Sequence, residues 1–167
     1  MEGLRDAGLK PQDRLLDIGC GSLRLGVKAV PFLDPGHYWG TDASAALMRR
    51  GREVELAEKD RLPLSHLVED ADFALPGIPP DIDMSIAFGV FTHLPHADLA
   101  TALTNLRRFP NLRALLFTVF LSDSPDSSRQ PDGVVTHPDR PPYHVPETRV
   151  ARTIRAAGFT PARHPAR

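Results

Sequence analysis

Short apolar runs and stretches of helical periodicity alternate along most of this chain. "RLLDIG" is apolar except for one aspartate and predicts a strand buried on both faces of a sheet. "SLRLGVKAVPFL" then spaces Leu23, Val27 and Val30 as one face of a helix. "HYWGTD" predicts a second strand ending at Asp42, and "ASAALMRRGREVELAEK" a helix with Ala46, Leu47 and Met48 near its start. Gly51 weakens the middle of that helix. "LSHLVED" and "DIDMSIAFGV" read as a third and a fourth strand. "HADLATALTNLRRF" follows as an amphipathic helix through Leu99, Leu103 and Leu106, and "LRALLFTVF" as a fifth strand. "VPETRVARTIRAAGF" is the last helix, with Pro146 suited to its first turn and Gly158 to its C-terminal cap.

One segment breaks the alternation. Residues 122–142, "SDSPDSSRQPDGVVTHPDRPP", are polar and rich in proline, too long for an ordinary connection. They predict either a functional lid or a disordered excursion, and with so few apolar side chains they are expected to be mobile without substrate. The rest is an α/β pattern, a doubly wound and mostly parallel sheet in a single domain over 1–167, without an internal repeat.

Composition narrows the function. With 167 residues, 41% of them hydrophobic, the chain has room for one domain with a real core. A net charge of −1 makes no electrostatic case for nucleic acid or an anionic membrane surface. No apolar run reaches the roughly 20 residues that span a bilayer, and the N-terminus lacks the basic and apolar regions of a secretory signal. A cytoplasmic protein is the expectation. The single cysteine, Cys20, excludes an internal disulfide and argues against a thiolate metal cluster, so no metal is expected.

The candidate chemistry starts at "LLDIGCGSLRLG", where the chain turns sharply after a buried strand, at the sheet edge where such folds bind ligands. A phosphate-binding P-loop needs Gly-Lys-Ser/Thr, and no lysine lies between Gly19 and Val27. A dinucleotide fingerprint needs glycine where Arg24 stands. Asp17-Ile18-Gly19-Cys20-Gly21, by contrast, resembles the first motif of the class I S-adenosylmethionine-dependent methyltransferases, an acidic residue followed by x-G-x-G. "YWGTDAS" is similar to that family's second strand, "IDMSIAFGVFTHLP" to its fourth strand and following turn, and "RTIRAAGF" to its penultimate helix. The resemblance runs in order from Leu15 to Phe159. It implies a Rossmann-like methyltransferase fold with S-adenosylmethionine as cofactor. Together with "PPYH", the motifs look like a bacterial branch associated with glycans or similar small hydroxylated compounds.

The resemblance implies roles residue by residue. S-adenosylmethionine has a ribose diol, an adenine and a zwitterionic end but no phosphate. Asp42, at a strand end, would accept hydrogen bonds from the ribose hydroxyls, or else cap the helix of "ASAAL". Asp17 would orient the turn and approach the cofactor's ammonium, with Gly19 and Gly21 letting the backbone lie against it. "EDADF" offers Asp70 and Asp72 for the adenine amino group; Asp72 is preferred, with Phe73 packing on the ring. Phe88 and Gly89 would line the methionine side, although Phe88 reads equally as plain core.

His93 is the natural general base for a hydroxyl acceptor, against a bland reading in which it caps or packs the next helix. His137, His144 and "PPYH" belong to the segment that would cover the same crevice, and Cys20 is not expected to act as a nucleophile. The pattern departs from the family at Leu23, where a third glycine is usual; Arg24 reads as a partner for an anion or a solvated surface charge. Fourteen residues precede the first strand, where relatives carry cap helices, and eight follow Phe159, enough for one more terminal strand but hardly for a terminal hairpin; the expectation is a sheet without its seventh strand, or a chain that is a fragment or half of a complex. The reading is a methyltransferase acting at a hydroxyl of a small molecule or glycan. The alternatives are a non-catalytic binding subunit with the same fold and a nucleotide-dependent oxidoreductase.

Overall fold

The computed structural model describes residues 1–163, and the last four positions of the expected terminal strand lie outside them. Residues 160–163 form no strand. Five strands build a parallel sheet: β1 (Leu15–Ile18), β2 (Tyr38–Asp42), β3 (Leu67–Glu69), β4 (Met84–Ala87) and β5 (Ala114–Phe117). Their spatial order is β3-β2-β1-β4-β5, so the order reverses between β1 and β4. A ligand crevice is expected there, outside the carboxyl ends of these two strands.

All four residues of β1 are buried, as a continuous apolar run requires. Its neighbours pair in parallel, Asp17 standing opposite Gly40 of β2 and Ile86 of β4. Leu16 and Ile18 point into one hydrophobic cluster, which holds Leu99, Leu103 and Leu106 of helix α4 (His96–Leu106) and Val150 of α5 (Glu147–Ala156). Leu15 points into a second, with Leu4 of α1 (Glu2–Asp6), Ala29 of α2 (Gly26–Ala29) and Met48 of α3 (Ala45–Glu55). Helices therefore cover both faces of the sheet. The one-turn α1 lies where no helix was expected. No helix among the described residues is long and apolar enough to cross a membrane.

The first crossover corrects the periodicity reading. Helix α2 has only four residues, and Leu23 lies before it in left-handed backbone with φ +65°. Leu23 is fully buried while Val27 is exposed, so the two share no helical face. The backbone here keeps the shape a third glycine would adopt, and burial of the leucine offsets a strain of about 1–2 kcal/mol.

Gly51 also changes meaning. A Cβ at this position would sit 2.4 Å from the carbonyl oxygen of Ser22, because α3 packs directly on the turn after β1. Gly51→Ala is therefore expected to lower stability by at least about 1 kcal/mol through overpacking, against alanine's gain in helix propensity. Urea denaturation checks this; a stabilised variant would refute the close packing.

The proline-rich segment, expected as a lid or a disordered excursion, carries secondary structure of its own. Strands β7 (Ser128–Arg129) and β8 (Val135–Thr136) form a hairpin. The flanking β6 (Phe120–Leu121) and β9 (His144–Val145) pair in parallel and tie the ends of the segment together. Polar contacts around a buried histidine take the place of an apolar core.

Candidate functional site

The turn after β1 is built by strand β2. The amides of Gly19 and Cys20 both donate to the Thr41 carbonyl, at 2.7 and 3.0 Å. The Gly21 amide donates to Asp42 Oδ2 at 2.9 Å. Left-handed backbone at Gly19 and Gly21, with φ +69° and +52°, aims these amides inward. A Cβ on Gly19 would lie 2.4 Å from Val90 Cγ2, so only glycine lets the turn close on the β4 loop. The first three amides of the turn are thus committed to the protein's own acceptors, and none of the three is free to cradle a phosphate.

Asp42 holds two backbone amides, Gly21 on Oδ2 and Ser44 on Oδ1. The helix cap falls to Ser44, whose Oγ accepts from Leu47 N at 3.2 Å, and not to Asp42. Each carboxylate oxygen has a second lone pair, so the half-buried Asp42 can still accept from a diol.

Asp17 is only 3% exposed and accepts a 2.5 Å hydrogen bond from the Tyr38 hydroxyl. Burial pushes its carboxyl up to about 7, against the Tyr38 hydrogen bond; the nearby Asp42 charge adds to the rise. Nothing in the sequence pointed to Tyr38, whose own hydroxyl is pushed well up by the same burial. Burial, with the charges of Asp17 and Asp42, likewise holds the Cys20 thiol far above its ordinary range. It stays protonated and unreactive.

On the β3 side the two aspartates separate. Asp70 accepts the amides of Asp72, Ala74 and Leu75 at 3.2, 3.1 and 2.8 Å, and so folds the loop. Asp72 is exposed. Phe73, expected from the sequence to pack on the cofactor ring, is buried in the core. Its φ of +57° and a bond from Asn105 Nδ2 to its carbonyl aim the ring into the core, 5.6 Å from Phe91.

Past β4, Phe88 is 73% exposed and belongs to neither core cluster. The Gly89 amide donates to Thr118 Oγ1 at 2.7 Å, and Thr92 Oγ1 donates to the Gly89 carbonyl at 3.0 Å. This fixes the turn that presents His93, which is exposed. Helix α4 starts at His96, behind Pro95, with no side-chain cap, so His93 takes no capping role. The "PPYH" loop reaches the same turn through Tyr143 N and the Thr92 carbonyl, 2.8 Å apart. Arg24 is exposed, His137 is half-buried, and His144 is buried within the proline-rich segment.

The structure thus brings Asp17, Gly19, Gly21, Asp42, Phe88, Gly89 and His93 to the carboxyl ends of β1, β2 and β4, with Asp72 beyond β3. A ligand held at these strand ends would meet the carboxylates of Asp42 and Asp72 and the exposed Phe88, with Asp17 buried behind them. That donor set suits a ligand with a diol, an ammonium group and no phosphate.

Comparison with known proteins agrees with this fold. Residues 16–111, more than half of the chain, match the model of the family described as a methyltransferase domain. No curated protein matches the chain. Among solved structures, magnesium protoporphyrin IX methyltransferase from Synechocystis PCC 6803, with S-adenosylmethionine bound, is 18% identical at a TM-score of 0.62; the match covers 97% of this chain and 66% of that one. An S-adenosylmethionine-dependent methyltransferase from Mesorhizobium loti is 16% identical at 0.61, covering 95% and 80%. The 1,6-didemethyltoxoflavin-N1-methyltransferase of Burkholderia thailandensis, holding 1,6-didemethyltoxoflavin and S-adenosylhomocysteine, is 20% identical at 0.61, covering 96% and 66%. At these identities the likeness is one of fold, and the chain spans about two thirds of the length of the first and third proteins.

Proposed function

The chain belongs to the methyltransferase-domain family, with the class I S-adenosylmethionine-dependent fold, and on that premise we propose that it transfers a methyl group to a hydroxyl of a small molecule or glycan. The observation that supports this most directly is the turn after β1. Its amides are committed to Thr41 and Asp42, which fits a phosphate-free cofactor and sets aside the oxidoreductase reading. When bound, S-adenosylmethionine supplies an electrophilic sulfonium methyl. Asp42 would hold the ribose hydroxyls, Asp17 the ammonium end and Asp72 the adenine amino group, with Phe88 and Gly89 on the methionine side. Phe73, packed in the core beside Phe91, would back the adenine side of the loop. His93 would hold the proton that an acceptor hydroxyl gives up.

Calorimetry with S-adenosylhomocysteine and NAD tests the reading. Binding of the first and not the second is expected; the reverse, or no binding of either, would overturn it.

Asp17 adds a pH signature. The free carboxyl ionises near pH 4, whereas in the fold it ionises at about 7. Between these values the folded chain holds the proton more tightly, so this contribution to stability is fully present below about pH 4 and is lost as pH rises through 7. The thermal midpoint of the free protein should fall over this window, and Asp17→Asn should flatten the fall. An ionised Asp17 attracts the ammonium, so affinity for S-adenosylhomocysteine should rise about tenfold between pH 6 and 8. A pH-independent affinity would remove Asp17 from the cofactor site.

A further inference from the structure

His144 is buried, titratable and unused by the proposed chemistry. It is 3% exposed, and both ring nitrogens are satisfied inside the proline-rich segment. Nε2 lies 3.0 Å from the Ser124 carbonyl, which only accepts, so this nitrogen carries a hydrogen. Nδ1 lies 2.9 Å from Thr136 Oγ1, a fully buried hydroxyl. The same oxygen receives Gln130 Nε2 at 3.0 Å and is 3.1 Å from the Ser128 carbonyl. One ring therefore joins the start of the segment, its hairpin and its end.

The segment has few other means of staying ordered. Fixing each backbone residue costs about 1–2 kcal/mol, and its apolar side chains Val134 and Val135 are exposed. The buried polar hub replaces the missing core. Its hold extends to the crevice: the His144 amide donates to the His137 carbonyl at 2.9 Å, and the Tyr143 amide donates to Thr92 at 2.8 Å. Thr92 in turn donates to Gly89, on the turn that presents His93.

We propose that His144 is a positioning residue that clamps residues 122–143 onto the turn after β4, making Tyr143 a fixed wall beside His93. The proposal rests on the methyltransferase reading of the crevice for its functional meaning, but not for its physics. Val145, next in the chain, is buried in the main core and anchors the clamp from behind. The segment is thus a docked strap, ordered before any acceptor arrives.

Hydrogen exchange on the full chain tests this. In His144→Ala the amides of Tyr143 and His93 should exchange roughly tenfold faster or more, while β1 and β4 keep their protection. His144→Gln, whose amide can donate to Ser124 and, with the Thr136 hydroxyl turned from Ser128, accept from Thr136, should restore most of the protection. Release of the hairpin amides of Gln130 and Gly133 alone would overturn the proposal, because His144 would then be a local staple. Native exchange throughout would also overturn it. Should His144→Ala lose the whole fold, Thr136→Val keeps the ring and decides: faster exchange at Tyr143 and His93 supports the clamp, unchanged exchange refutes it. Affinity for S-adenosylhomocysteine should stay within about threefold in His144→Gln. A native chain that binds none would sink the methyltransferase reading and leave the exchange result standing.

Discussion

His93→Ala is expected to lower the rate of methyl transfer by about 100-fold or more, the scale on which a positioned base contributes. His93 is exposed, at the carboxyl end of β4, on a turn braced by Thr92, Gly89 and Thr118. It neither caps α4 nor belongs to a core cluster, so its loss should leave the fold intact. A catalytic role therefore separates cleanly from a structural one. Affinity for S-adenosylhomocysteine and the thermal midpoint should match the native protein while turnover collapses. The measurement uses methyl-labelled S-adenosylmethionine against a panel of small hydroxylated acceptors, sugars first. A folded variant with near-native turnover would remove the base, and leave the crevice and its cofactor untouched.

Asp42→Ala is expected to weaken S-adenosylhomocysteine by about 1.5–3 kcal/mol, the range for hydrogen bonds to a charged group, or roughly 10- to 150-fold in Kd. The carboxylate serves twice, because it also holds the Gly21 and Ser44 amides. Asp42→Asn separates the two uses. Its side-chain oxygen can still accept one amide, but its NH2 group cannot accept from a ribose hydroxyl. Asn should therefore recover stability more fully than affinity. Equal affinity in all three proteins would show that Asp42 only builds the turn.

The strand that opens the site was legible because its signals are local. "LLDIG" is apolar on both sides of the pleat, and two glycines one residue apart mark left-handed backbone whatever surrounds them. The alternation of strands and helices followed from periodicities of two and 3.6. The glycines at 19 and 21, the aspartates at 17 and 42, and the histidine at 93 all fell where that order put them.

What the sequence could not supply is which groups face each other across elements. Leu23 looked like a helical face and is instead strained backbone, because its side chain has a buried site to fill beside α3. Gly51 looked like a flaw in a helix and is the gap through which Ser22 passes. Asp70 and Asp72 are equivalent as letters; the loop's amides converge on the first and leave the second exposed. Phe73 faces the core because Phe91 and Asn105 are there to receive it. Polar composition made residues 122–142 look unstructured, since composition counts apolar side chains and cannot count hydrogen bonds that form only when His144 meets Ser124 and Thr136. Periodicity is a property of neighbours along the chain. Burial, clash and hydrogen-bond partnership belong to residues distant in sequence, and only packing decides them.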